Sequence, residues 1–128
     1  MKKILIIDED RDWLLALKRF FERNGYHPYL ADSYPESYAV LGRVLPDLIF
    51  LDIQPVNPNG LLLYKKIKGH DKYAHIPVIL TSHTANIIKL TSESTKLTSE
   101  SITLHHADAF LKKPFQLSGL SQMLRQYL

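Results

Sequence analysis

The sequence predicts an α/β fold: a doubly wound parallel sheet of five strands with five helices on its two faces. Apolar, strand-like runs alternate with helical patterns along the chain, and this alternation is typical of βα units. Residues 3–7 and 47–52 are nearly continuous apolar runs, as expected of parallel strands covered by helices on both sides. Each run meets an aspartate at its carboxyl end, Asp8 or Asp52, so the predicted sheet carries acid along one edge.

Length and composition indicate a single soluble globular domain. The chain has 128 residues, enough for one domain over residues 1–128, and its 45% hydrophobic and 23% charged residues are typical of soluble globular proteins. No apolar run approaches the roughly 20 residues of a membrane span, and the short N-terminal run lacks signal-peptide features. We therefore expect a cytoplasmic protein without a membrane partner. The lack of cysteine excludes disulfides, thiolate metal sites and cysteine nucleophiles.

The net charge of +3 comes from lysines and arginines that are scattered along the chain. No recognised nucleic-acid-binding motif accompanies this charge. The pattern therefore indicates a solvated surface, and we expect no nucleic-acid partner.

The first predicted βα unit comprises a strand at residues 3–7 and a helix at residues 11–24. Leu14 and Leu17 belong to the apolar stripe by which this helix packs on the sheet. Gly25 follows the helix, where a glycine commonly ends it.

A short strand is predicted near residues 26–31, followed by a helix that runs to about residue 45. Ser33 and Glu36 have the spacing of a capping box, in which the serine hydroxyl accepts the amide of the glutamate. The buried strand at residues 47–52 comes next.

The second half repeats the alternation. Residues 54–60 contain two prolines and a glycine and are predicted to form a loop, followed by a helix over about residues 61–69. Residues 77–81 are the fourth strand and residues 109–111 the fifth. Residues 117–128 form a final amphipathic helix.

Ligands of an open parallel sheet bind beyond the carboxyl ends of its strands. Here those ends carry carboxylates, hydroxyls and an ammonium group: Asp8, Glu9, Asp52, Thr81, Ser82 and Lys113. Crowded carboxylates repel one another, and a hard divalent cation such as Mg²⁺ relieves the repulsion through oxygen ligands. Phosphoryl transfer needs in-line positioning and neutralised charge, which a metal, an ammonium group and a hydroxyl can supply. The set therefore suits a carboxylate that becomes an acyl phosphate.

Residues 3–10, 46–60, 76–82 and 107–115 resemble, in order and nearly in spacing, the signature segments of bacterial two-component response-regulator receiver domains. The resemblance covers the whole chain and implies a flavodoxin-like fold. It implies that the chain accepts a phosphoryl group from a sensor histidine kinase or phosphotransfer protein. It also implies a conformational switch that signals to a downstream protein, with at most catalysis of the chain's own phosphorylation and dephosphorylation.

The resemblance implies a Mg²⁺ site. Asp8 and Glu9 resemble the acidic pair that holds the metal, and Asp52 matches the phospho-acceptor, which also binds it. The backbone carbonyl of Gln54 matches a further metal ligand.

The resemblance also implies the groups that handle the phosphoryl group. Lys113 resembles the lysine that pairs with it, followed by a proline that is usually reached through a cis bond. Ser82 matches the switch hydroxyl, although Thr81 is close enough to compete. Phe110 resembles the aromatic that moves inward on activation.

Two positions depart from the family pattern near this site. Val56 stands where the family usually has a proline, and His83 replaces a small residue after the switch hydroxyl. These departures, together with a tandem repeat at residues 89–102, keep open a degenerate receiver that acts only as a protein-docking module.

A phosphatase of the haloacid-dehalogenase type is the other alternative. It would use Asp8 as nucleophile and Asp10 as acid/base, since the apolar run before them also fits the start of those enzymes. It would give Asp52 no role.

A tandem repeat separates the fourth and fifth strands. Residues 89–95 and 96–102 match at all but one of seven positions, and they place Leu90, Leu97 and Leu104 seven apart. The repeat indicates a heptad duplication that lengthens the region of the fourth helix, either as an extended helix or as a mobile loop.

If the repeat is helical, it adds about 10 Å at 1.5 Å per residue, so Leu97 or Leu104 extends beyond the sheet and favours a homodimer. We expect the full chain to be dimeric at tens of micromolar in light scattering. Deletion of residues 96–102 should give a monomer that is still phosphorylated, because it removes no residue of the acidic edge. A full-length monomer would exclude this interface.

Overall fold

The computed structural model describes residues 1–54, 57–83 and 108–128. In this part of the chain five strands form one parallel sheet in the order β2-β1-β3-β4-β5. The strands are β1 (Lys3–Ile7), β2 (His27–Ala31), β3 (Leu48–Asp52), β4 (Val78–Ser82) and β5 (Ala109–Lys112). The predicted five-stranded parallel sheet is confirmed, with strand bounds within one residue of those expected.

The described residues contain four α-helices and one 3₁₀ turn. They are α1 (Arg11–Arg23), α2 (Tyr34–Val44), α3 (Asn59–Lys68), the turn Leu117–Gly119 and α4 (Leu120–Tyr127). Helix α3 begins two residues earlier than predicted, and the last predicted helix opens with the 3₁₀ turn. The predicted additional helix and its heptad duplication fall at residues 84–107, outside the described residues.

The sheet has a separate hydrophobic core on each face. Helices α2 and α3 cover one face with buried side chains such as Leu41 and Tyr64. Helices α1 and α4 cover the other with side chains such as Phe21 and Leu124. β3 and β4 are buried along their whole length, which explains their continuous apolar runs, and their buried polar residues lie only at the carboxyl ends.

Capping side chains fix the N-terminal ends of α1 and α2 at the carboxyl edge of the sheet. Asp10 caps α1 by accepting the Trp13 amide at 3.2 Å, and Ser33 caps α2 by accepting the Glu36 amide at 3.3 Å. Gly25 ends the first βα unit with a φ of 83°, a conformation that glycine adopts without strain. None of the described helices is long and apolar enough to cross a membrane.

The order of the strands creates one crevice. The chain passes from β1 outward to β2 and then returns to β3 on the other side of β1, so the strand order reverses between β1 and β3. Ile7 pairs with Leu51 at this point, which places the next residues, Asp8 and Asp52, side by side at the carboxyl edge.

Candidate functional site

Two aspartates and a lysine form a buried charged cluster at this edge. Asp8, Asp52 and Lys113 are only 5%, 2% and 3% exposed. The ammonium nitrogen of Lys113 donates to Asp8 Oδ2 at 2.6 Å and lies 3.4 Å from Asp52 Oδ1. The structure thus brings together the three groups that the sequence placed at the ends of β1, β3 and β5.

Main-chain hydrogen bonds of the sheet fix the base of each side chain. The amide of Asp8 donates to the Ala31 carbonyl at 3.1 Å, and the amide of Lys113 donates to the Ser82 carbonyl at 2.7 Å. Asp52 pairs with Thr81 in the β3–β4 register. The bond between Lys113 and the following proline is cis, as predicted.

The cluster contains two carboxyl groups and one ammonium group. Burial raises the pKa of the Asp8 carboxyl above its ordinary value, while hydrogen bonds from Lys113 and from the Asp10 amide lower it in part. The charge of Asp52 acts in the same direction as burial. Two carboxylates facing one ammonium group leave excess negative charge that a cation can neutralise.

Each oxygen of the Asp52 carboxylate has a neighbour. Gln54 donates its side-chain amide to Asp52 Oδ2 at 2.6 Å, and the Thr81 hydroxyl lies 3.5 Å from Asp52 Oδ1. Ser82 is also buried at the end of β4, with 2% exposure. The structure therefore places the Thr81 hydroxyl beside the cluster and buries the neighbouring Ser82, and the assignment of Ser82 as the switch hydroxyl stays a prediction.

For two predicted residues the described part of the chain gives no contact with the cluster that tests their role. Glu9 is exposed, and within residues 1–54, 57–83 and 108–128 no three His, Cys, Asp or Glu side chains are close enough to hold a metal ion. Phe110 is half-buried against the core under α2 and α3. The metal role of Glu9 and the switch role of Phe110 stay predictions.

The groups present suit Mg²⁺ by donor type. Asp8 and Asp52 supply carboxylate oxygens from adjacent strands, and the main chain of Gln54 supplies a carbonyl oxygen two residues beyond Asp52. Mg²⁺ takes oxygen ligands and keeps several of its waters, so it needs only a few such groups. Since Lys113 lies between the two carboxylates, a bound cation would share them with its ammonium group.

The sequence interpretation missed two aromatic residues beside the cluster. Tyr34 donates its hydroxyl to the Asp52 main-chain carbonyl at 2.9 Å. The Lys113 ammonium lies 5.7 Å from the Trp13 ring centroid, and that ring packs edge-on against Phe115. The position of Tyr34 directly after the β2–α2 cap was the available signal, because that turn lies on the same sheet edge.

The Tyr34 phenol remains a neutral donor at ordinary pH. Burial raises the pKa of the phenol well above its usual range, and the charges of Asp52, Glu9 and Asp8 raise it further.

The sequence model of the response regulator receiver domain family matches residues 4–125. The chain belongs to this family. Receiver domains are signalling modules rather than conventional enzymes, and membership confirms the predicted role in phosphorelay signalling over the phosphatase and docking-only alternatives.

Individual relatives agree with this assignment. The chain is 29% identical over 129 residues to the polar-differentiation response regulator DivK of Brucella anthropi, covering 100% of this chain and 98% of that one. It is 29% identical over 126 residues to the transcriptional regulatory protein CrdR of Helicobacter pylori, and the match spans 98% of this chain but 54% of CrdR, about half its length. The chemotaxis response regulator CheY4 of Vibrio cholerae has a similar fold, with a TM-score of 0.80, 22% identity and coverage of 100% and 99%.

Replacing Lys113 by methionine should destabilise the metal-free receiver by about 3–5 kcal/mol at neutral pH, because it leaves two buried carboxylates without a cation. A raised folded-state pKa means that ionisation of Asp8 costs stability as the pH rises through that pKa. The deficit should therefore shrink as the pH is lowered toward about 4, where carboxyls protonate. Urea unfolding at several pH values measures it.

The matched control is Lys112→Met, which removes the same charge from the exposed preceding residue. It should change the free energy of unfolding by less than about 0.5 kcal/mol. A Lys113→Met deficit that does not vary with pH would contradict the electrostatic explanation.

Proposed function

We propose that residues 1–128 act as one receiver domain in which Asp52 accepts a phosphoryl group from a sensor histidine kinase or phosphotransfer protein. The observation that carries this proposal is the Asp52 carboxylate itself. It is buried at the end of β3, with the Lys113 ammonium 3.4 Å from one oxygen. A nucleophile and a fixed positive charge are thus held at one edge of a rigid sheet.

The reaction forms one bond and breaks one. An oxygen of Asp52 attacks the phosphorus of a phosphohistidine while the bond from phosphorus to the imidazole nitrogen breaks. The imidazole leaves with the bonding electron pair, and Asp52 becomes an acyl phosphate. Hydrolysis by water then returns the carboxylate and releases inorganic phosphate.

Residues around Asp52 supply charge neutralisation and positioning. The Lys113 ammonium forms an ion pair with the phosphoryl oxygens once Asp52 is phosphorylated. The hydroxyl of Ser82 or Thr81 donates a hydrogen bond to one of those oxygens. Asp8, Glu9, Asp52 and the Gln54 carbonyl would hold Mg²⁺, which supplies further neutralisation of the phosphoryl oxygens when bound.

The conformational switch begins when phosphorylation breaks existing contacts of the charged cluster. An acyl phosphate on Asp52 competes with Asp8 for the Lys113 ammonium and draws in a hydroxyl from the end of β4. Phe110 lies on β5 opposite Leu80 of β4, so a shift of that strand end reaches its half-buried ring. The altered surface would then be recognised by a downstream protein in the cytoplasm.

Incubation with acetyl phosphate and Mg²⁺ should add one phosphoryl group to the wild type and none to Asp52→Asn, because the amide is not a nucleophile for phosphorus. Intact mass measurement and peptide mapping follow the reaction. Asp10→Asn is the matched control on the same edge. It retains the helix cap, since asparagine caps as well as aspartate does, and it should be phosphorylated at the wild-type rate. A phosphate mapped to Asp8 would refute Asp52 as the phospho-acceptor.

A further inference from the structure

Tyr34 connects helix α2 to the end of β3. Its hydroxyl donates to the main-chain carbonyl of Asp52 at 2.9 Å, across a sequence separation of 18 residues. The phenol therefore contacts the backbone of the proposed phospho-acceptor, whereas Gln54, Thr81 and Lys113 contact its carboxylate. It also borders a small cleft that Asp8 and Glu9 line, so it lies within the acidic edge.

The same phenol abuts the first turn of α3. A Cβ atom added to Gly60 would lie 2.7 Å from the Tyr34 hydroxyl oxygen, which is closer than real Cβ contacts come, and 3.0 Å from Cζ, which is a tight contact. It would also lie 3.4 Å from the Asp52 carbonyl oxygen. The phenol is thus wedged between the two ends of the β3–α3 connection, the segment that contains Gln54.

Tyr34 is itself held firmly. Ser33 caps the helix that Tyr34 begins, and the Ser37 hydroxyl donates to the Tyr34 carbonyl at 2.6 Å. With the helix end fixed, the rigid ring places its oxygen at a defined point. A hydrogen bond from such an anchor restrains its acceptor more than one from a mobile side chain does.

We infer that Tyr34 is a positioning residue for phosphoryl transfer, which holds the Asp52 main chain and the start of the β3–α3 connection in their working geometry. The inference rests on the proposed function of Asp52. Gln54 lies two residues beyond the restrained carbonyl, and its side chain already contacts Asp52 Oδ2 at 2.6 Å. A shift at the Asp52 carbonyl therefore moves both the nucleophile and a proposed metal ligand.

Tyr34→Phe removes the hydroxyl and keeps the ring. The half-saturating Mg²⁺ concentration should rise, and the rate of phosphorylation by acetyl phosphate should fall, each by about threefold to tenfold, the range expected for one lost hydrogen bond. Isothermal titration measures Mg²⁺ binding, and fluorescence of Trp13, the single tryptophan, should follow it because the Lys113 ammonium lies 5.7 Å from the Trp13 ring centroid. Unfolding curves establish a temperature at which both proteins are fully folded.

Tyr38→Phe is the matched control. Tyr38 lies one turn later in α2, where its ring packs edge-on against Tyr73 and beneath the Lys66 ammonium. It should leave both the Mg²⁺ affinity and the phosphorylation rate at the wild-type values.

Gly60→Ala tests the same contact from the α3 side, where Gly60 lies against the Tyr34 phenol. The added methyl group displaces the phenol, so this variant should show the same two changes as Tyr34→Phe. The double variant Tyr34→Phe/Gly60→Ala should have the same Mg²⁺ affinity and phosphorylation rate as either single variant, because both substitutions remove the same contact.

The outcomes separate the two proposals. Wild-type Mg²⁺ affinity and phosphorylation in folded Tyr34→Phe overturn the positioning role, even if that variant unfolds more easily. A wild type that binds Mg²⁺ but is not phosphorylated on Asp52 refutes the proposed function, and the Mg²⁺ titration of Tyr34→Phe still decides whether the phenol positions the connection. A wild-type protein that neither binds Mg²⁺ nor becomes phosphorylated refutes both the proposed function and the positioning role of Tyr34.

Discussion

The sharing of one buried ammonium group by two buried carboxylates is the interaction on which the arrangement of this receiver depends. Asp8 and Asp52 end neighbouring parallel strands, so they cannot move apart without opening the sheet between β1 and β3. Burial of ions costs free energy that only close, well-paired partners offset. Lys113 provides that partner at 2.6 Å and 3.4 Å, which requires β5 to dock beside β4.

The sheet and the charged cluster could be predicted because their signals are local. A strand buried on both faces needs apolar residues throughout, and an acid directly after such a run must lie at the carboxyl edge. The predictions of Asp8 and Asp52 required only those two facts. Lys113 could also be placed at this edge, because it follows the fifth strand, but its direct contact with Asp8 depends on packing, and its role was implied by the resemblance to receiver domains.

The contacts of Tyr34 and Gln54 could not be predicted in the same way. That the Tyr34 phenol reaches Asp52 depends on the distance and angle between α2 and β3, which packing sets and no pattern encodes. Gln54 was chosen for its carbonyl, but its flexible side chain also donates to Asp52. The start of α3 at Asn59 was missed because the prolines before it favoured a longer loop.

The separation of Lys113 from Asp8, 105 residues along the chain, has a consequence for how the protein acquires its structure. A chain emerging from the ribosome contains both acids long before the cation that neutralises them. Until β5 is synthesised, ionised Asp8 and Asp52 oppose closure of the edge between β1 and β3. Long-range closure of this kind is a slow step in folding, because the entropy of the intervening chain is lost before the contact forms. The charged cluster is therefore complete only when β5 has docked beside β4.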